Sequence, residues 1–154
     1  TDVVFNMQVA KFLKKAVYIH EFFNHYRQDN PNSLTKNYQL SLFDKYLKLF
    51  SYANKEVQTF SGEERNSIAR ALNNRIICSL INISISASSK RLTVNTRTRI
   101  DYLRKVLHHP VYREAFSTFQ FSFLPMPWRF FFTLAKARYT YSFFYMSALI
   151  SKLR

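Results

Sequence analysis

A mainly α-helical protein is expected from three features of the sequence. One glycine occurs in 154 residues, where average usage of about 7% would supply roughly eleven. That shortage disfavours a turn-rich all-β fold. Apolar residues recur at three- and four-residue spacing through much of the chain, the period of a helix with one buried face. Pro110, Pro125 and Pro127 interrupt these stretches, because proline cannot continue a helix that precedes it. A hydrophobic content of 47% supplies a core and argues against disorder.

Taken in order, residues 3–15 predict a helix with Phe5, Val9, Phe12 and Leu13 on one stripe and Asp2 at the cap position. Residues 16–19 and 22–26 are short β-favouring runs. Asp29, Asn30, Pro31, Asn32 and Ser33 form a turn cluster. A long helix is expected over residues 35–58, with Phe43, Tyr46, Leu47, Phe50, Ala53 and Val57 inward and Asp44 and Lys48 outside as an i,i+4 pair. Ser61-Gly62-Glu63-Glu64 has the pattern of a capping box. It opens a second helix with Ala69, Leu72, Ile76 and Ile83 inward, ended by a polar break over residues 84–90. Asn95 or Thr96 caps a third helix through Leu107, whose face is Ile100, Leu103, Val106 and Leu107. A short helical piece follows over residues 111–119. After the proline break, residues 128–153 read as one last helix. No internal repeat at solenoid periods is visible.

Composition also excludes chemistry. Phosphate-cradling loops need glycine for positive φ and close backbone approach. Gly62 stands alone between two helical patterns, so the chain holds neither a P-loop nor a dinucleotide fingerprint. Cys78 has no second cysteine, so no internal disulfide forms, and it reads as a small buried hydrophobe with no base beside it. No Ser/His/Asp arrangement can be argued. His20 and His25 lack metal-ligand spacing and a third partner, and the pair His108-His109 reads as a helix C-terminal decoration. The sequence opens on Thr1 and shows no signal peptide, which leads us to expect a piece of a longer protein.

Charge is unevenly placed. Residues 1–89 carry 11 Lys and Arg against 7 Asp and Glu, whereas residues 90–154 carry 12 against only Asp101 and Glu114. The chain total is +14, and +10 of it lies in the second part. Such a surplus favours polyanions, meaning nucleic acid or an anionic membrane surface. In residues 126–154 it is interleaved with Trp128, Phe130, Phe131, Phe132, Tyr139, Tyr141, Phe143, Phe144 and Tyr145. The longest uncharged run there, residues 139–151, falls short of the roughly 20 apolar residues a bilayer span needs. An interfacial helix and an ordinary core helix are both open readings of this tail.

The first forty residues hold an ordered set: Asp2, Phe5-Asn6, the run Val17-Tyr18-Ile19, His25-Tyr26-Arg27, and Asn30 to Thr35 (NPNSLT). In order and spacing this set resembles the end of the catalytic domain of family 2 glycosyltransferases. There an acidic pair opens a helix with Phe-Asn a few residues on, then come a short strand, a Tyr-x-Tyr-Arg-like strand and an Asn-x-Ser turn. The later helical part resembles the variable tails of bacterial members loosely, through residues 110–116 (PVYREAF) and 124–128 (LPMPW). The resemblance implies that residues 1–34 are the C-terminal end of an α/β GT-A catalytic domain, a helix plus short strands. Residues 35–154 would then be a bundle of about four to five helices with a basic aromatic tail.

What the resemblance implies about chemistry is specific. Asp2 takes the position of the base that removes the acceptor hydroxyl proton in inverting transfer, and a helix N-terminus would keep it ionised. By itself Asp2 reads as an N-cap, a role compatible with that of base. Arg27, with Tyr26, would steady the departing nucleoside diphosphate. His25 would offer a nitrogen to a phosphate oxygen or to the diphosphate-bound metal, and Ser33 would order the turn. A divalent metal, Mg or Mn, is expected for the full-length enzyme and none for this chain alone, since no Asp-x-Asp occurs. The implied partners are a nucleotide-sugar donor and a glycan or lipid-linked acceptor, with no nucleic acid. The implied location is cytoplasmic, peripheral at the inner face of the membrane. Two alternatives stand beside this reading: a basic helical nucleic-acid-binding module and a non-catalytic membrane-associated scaffold.

Overall fold

The structure, a computed structural model, describes residues 39–122 and 124–152 together with Val9, Phe12 and Lys15. The chain divides into two compact units, Thr1–Asn37 and Tyr38–Arg154. Among the described residues there are six helices and no strand: α1 (Leu42–Val57), α2 (Gly62–Ser88), α3 (Thr96–His108), α4 (Pro110–Thr118), α5 (Met126–Lys136) and α6 (Thr140–Lys152). Of the helix expected over residues 3–15 the described residues are Val9, which is helical, Phe12 and Lys15, and Val9 and Phe12, expected on its inward stripe, are both exposed. The β-favouring runs at 16–19 and 22–26 lie outside the described residues. Within the second unit α2 is the axis, touching α1, α3, α4 and most extensively α6.

The inward stripe expected for α1 is buried at Phe43, Phe50, Ala53 and Val57, while Asp44 and Lys48 are exposed. Its start differs from the sequence expectation, because residues 39–41 are not helical. The reason is a swap of hydrogen bonds. In a helix beginning earlier, the Phe43 amide would donate to the Gln39 carbonyl. Instead it donates to the Tyr102 hydroxyl on α3 (3.1 Å). The Ser86 hydroxyl donates to the Gln39 carbonyl (3.1 Å) and accepts from the Gln39 amide (2.9 Å). Ser41, the N-cap by position, spends its hydroxyl on the Gln39 side chain (2.8 Å). The first turn of α1 is thus capped by a residue from another helix.

Helix α2 holds two departures from expectation. Ser61 is the N-cap with extended backbone, yet its side chain caps no amide. The capping box requires helical geometry from the first residue onward, and Gly62, which occupies that place, is left-handed at φ +57°. The second departure is larger. No polar break occurs at residue 84: the helix runs on to Ser88, and residues 83–89 are all buried. The serines there satisfy themselves. Ser79, Ser84 and Ser88 each donate to the carbonyl three residues back, Ile76, Ile81 and Ile85, and Ser86 donates to Gln39. A serine whose hydroxyl is used in this way acts as a small residue that lets neighbouring helices approach.

Asn95 caps α3, its side chain accepting from the Thr98 amide (2.8 Å) as the third amide of a helix requires, and Ile100, Leu103, Val106 and Leu107 are all buried. Pro110 does not merely stop α3. It occupies the start of α4, where its missing N–H costs nothing, and His109 is the N-cap between the two helices, its Nδ1 accepting from the Val111 amide (3.4 Å). The His109 ring stands edge-on to Phe43 at 5.1 Å. The helix C-terminal reading therefore holds for both histidines, His108 with its Nδ1 on the Arg104 carbonyl (2.9 Å) and His109 as the C-cap of α3, but His109 has the further role of capping α4.

The single last helix expected over residues 128–153 is two helices. α5 ends at Lys136 and α6 begins at Thr140. Between them Arg138 sits at φ +60°. The Tyr139 amide donates to the Leu134 carbonyl (3.0 Å) and the Arg138 amide to the Ala135 carbonyl (3.0 Å). This pair of bonds is the Schellman motif, which normally places glycine where Arg138 stands. The reversal folds Phe143 of α6 onto Phe131 of α5, with ring centroids 4.7 Å apart. Phe119 and Trp128 close the aromatic cluster on Phe132 and Phe131.

Candidate functional site

Asp2, His25, Tyr26, Arg27 and Ser33, the residues to which the resemblance assigns chemistry, lie outside the described residues, as does His20. The site that can be built is therefore in the helical unit, and it begins from charge. Helix α3 places Arg104 and His108 one turn apart, so both project from the same face. Arg138 is brought opposite them by the α5–α6 turn. Arg104, His108, Arg138, Tyr139, Thr140, Tyr141 and Ser142 line one cleft of about 400 Å³. Arg104 is held from two sides: its Nη1 meets an Asp101 oxygen at 2.8 Å, and its guanidinium lies over the Tyr141 ring, 5.9 Å from the centroid. A smaller cleft of about 250 Å³ adjoins it, with Arg113, Ser117, Lys136 and again Arg138 in its wall. Arg138 is common to both, so a strip of cations runs from α3 across the turn to α4 and α5.

Acidic residues do little to cancel this strip. Asp101 is spent on Arg104, and Glu114 lines a different cleft between α1, α2 and α4. No acidic side chain occupies the first turn of α6, whose amides carry the positive end of the helix dipole. The arrangement can hold an anion by charge-assisted hydrogen bonds. Its hydroxyl groups, those of Tyr139, Thr140, Tyr141 and Ser142, add uncharged donors beside the cations.

The aromatic tail divides between the two readings left open for it. Phe131, Phe132, Phe143 and Phe144 are core, whereas Met126, Phe130, Tyr139, Tyr141, Tyr145 and Leu149 are each more than half exposed. Tyr141, Tyr145 and Leu149 recur every four residues, so one face of α6 is an exposed, mostly aromatic stripe leading away from the cationic cleft. No helix among the described residues is long and apolar enough to cross a membrane. Among the same residues no group of three His, Cys, Asp or Glu side chains is placed to hold a metal.

Elsewhere among the described residues, burial perturbs two tyrosines and a cysteine. Tyr102 is pushed up to about 12, chiefly because burial penalises the phenolate, with the Phe43 amide opposing and the Asp44 carboxylate adding to the rise. Burial likewise raises Tyr112, a fully buried residue. Cys78 is half-buried rather than enclosed. Burial raises its thiol, against the lowering effect of Arg75, which leaves it a poor nucleophile.

Sequence reasoning missed the cleft because it missed the turn. Neither glycine nor proline marks residues 137–139, and without a break there Arg138 does not come round to face Arg104. The one signal that could have drawn attention was the density of cations after residue 90. Compared with protein-family models, curated proteins and solved structures, the chain matches none.

Proposed function

We propose that this chain is the C-terminal part of a family 2, GT-A-type glycosyltransferase that moves a sugar from a nucleotide-sugar donor to a glycan or lipid-linked acceptor in cell-surface polysaccharide synthesis. The observation that carries the reading is the ordered set Asp2, Phe5-Asn6, Val17-Tyr18-Ile19, His25-Tyr26-Arg27 and Asn30 to Ser33. In the proposed reaction the Asp2 carboxylate takes the proton of the acceptor hydroxyl as that oxygen bonds to the anomeric carbon. The bond from that carbon to the diphosphate breaks, the charge leaves with the nucleoside diphosphate, and the configuration inverts. Arg27 and Tyr26 meet that charge, with His25 near a phosphate oxygen and Ser33 holding the turn. A divalent metal of the full-length enzyme would neutralise the diphosphate. The sequence has no Asp-x-Asp, so in this reading its carboxylate ligands would come from another part of the enzyme, with His25 able to offer one nitrogen.

The helical unit supports a peripheral position at the inner face of the membrane. Its exposed Tyr141, Tyr145 and Leu149 lie beside a cationic strip, the composition that suits an anionic interface. The test is sugar transfer by the full-length protein. Asp2→Asn should abolish turnover while donor binding persists, and retained turnover would remove Asp2 as the base. Upstream coding sequence lacking an Asp-x-Asp in a nucleotide-binding half would overturn the assignment itself.

A further inference from the structure

We propose that the cleft between α3 and the α5–α6 turn is a binding site for a diphosphate group, borne either by a soluble phosphoester or by a lipid headgroup. The inference goes beyond the transferase reading and does not depend on it, because it uses side chains of the helical unit alone. Two elements distant in sequence bring Arg104, His108 and Arg138 to one cavity of about 400 Å³, large enough for a phosphate and part of its carrier. Asp101 takes a single nitrogen of Arg104, and the remaining guanidinium donors are those a phosphate accepts from in pairs. The Arg104 carbonyl is an acceptor only, so His108 Nδ1 carries the hydrogen between them and Nε2 is the ring's remaining polar atom. Tyr139 and Tyr141, both largely exposed, add phenol hydroxyls at the rim. A diphosphate fits better than a monophosphate because Arg138 also belongs to the neighbouring cleft with Arg113 and Lys136, so the positive strip is longer than one phosphate group.

The experiment is calorimetric titration of the 154-residue chain with inorganic pyrophosphate and with inorganic phosphate, alongside sedimentation with phosphatidylcholine vesicles with and without phosphatidic acid. Saturable pyrophosphate binding, tighter than that of phosphate, is expected. Arg138→Gly and Arg104→Gln should each weaken it at least about tenfold, the loss of a charge-assisted contact. Arg70→Gln, an exposed arginine on α2, should leave it unchanged. Arg138→Gly removes the cation from a left-handed position that glycine occupies freely, so loss of binding with an undiminished melting temperature separates the site from the fold. Arg104→Gln gives a second reading on another element. Binding to the phosphatidic acid vesicles that pyrophosphate displaces identifies a lipid headgroup, and pyrophosphate binding without vesicle binding identifies a soluble phosphoester. Non-saturable binding, or binding that Arg70→Gln weakens as much as Arg138→Gly, overturns the proposal in favour of diffuse charge attraction, and retention on duplex DNA with the same insensitivity to position would have that meaning too.

Discussion

Removing the Ser79 hydroxyl leaves the Tyr112 phenol, a group with no exposure to solvent, without its partner. Ser79 donates to the Ile76 carbonyl (2.6 Å), which uses its only proton, so the 2.9 Å contact with Tyr112 is one in which the phenol donates. Ser79→Ala therefore deletes an acceptor and strands a buried donor. Such a stranded group costs about 1–3 kcal/mol, offset by about 0.5 kcal/mol from the better helix propensity of alanine. The expected loss is about 1–2 kcal/mol. Tyr112→Phe removes the donor itself, leaves Ser79 still bonded to Ile76, and should cost about 1 kcal/mol. In the double variant no donor is stranded, so its loss should resemble that of Tyr112→Phe alone, and the cycle should show a coupling of about 1 kcal/mol. The assay is urea unfolding followed by circular dichroism for all four proteins, with midpoints compared at constant slope. Single effects that add within about 0.5 kcal/mol would refute the hydrogen-bond reasoning, and so would a Ser79→Ala variant as stable as the parent.

Arg138→Gly should raise stability by about 0.5–1 kcal/mol, since a left-handed non-glycine residue costs about 1–2 kcal/mol and glycine returns part of that as unfolded-state entropy; thermal melting checks it, and a lower midpoint contradicts the Schellman assignment. Tyr102 should ionise near pH 12 when followed by absorbance of the phenolate. Its raised value means that its contribution to stability is complete below the ordinary tyrosine range near 10 and is lost as pH rises from there through 12; Tyr102→Phe should flatten that alkaline loss. Cys78 should react slowly with a thiol reagent at neutral pH and quickly in denaturant, because burial raises its thiol in the folded state; equal rates would show an open thiol.

Much of the helical unit was legible because burial and local period coincide there. Phe43, Phe50, Ala53 and Val57 on α1, and Ile100, Leu103, Val106 and Leu107 on α3, are apolar residues at helical spacing, and each of them is buried. Asn95 was legible as a cap because its short amide reaches an amide three residues on. The readings that failed share a cause. Residues 84–90 look polar in sequence, yet their serines are enclosed because the hydroxyls of Ser84, Ser86 and Ser88 each donate to a carbonyl nearby and that of Ser89 accepts from the Arg91 amide. The capping box at Ser61 looks complete in letters, yet Gly62 turns the backbone away from it. The break at 137–139 carries no breaker residue at all, and an arginine takes the conformation that glycine normally supplies.

Helix content, the positions of most inward faces and the exclusion of glycine-loop phosphate chemistry were determined by the sequence alone, because they depend on residue type and on spacing along the chain. So was the ordered set from Asp2 to Ser33 on which the proposed transferase rests. Tertiary structure alone decided that the first turn of α1 is capped by Tyr102, that the serine-rich end of α2 lies in the core, and that Arg138 faces Arg104 across a cleft. Each of these joins groups between 34 and 59 residues apart or closes a carbonyl that local pattern leaves open, and hydrogen bonds of that reach leave no period in the sequence to read.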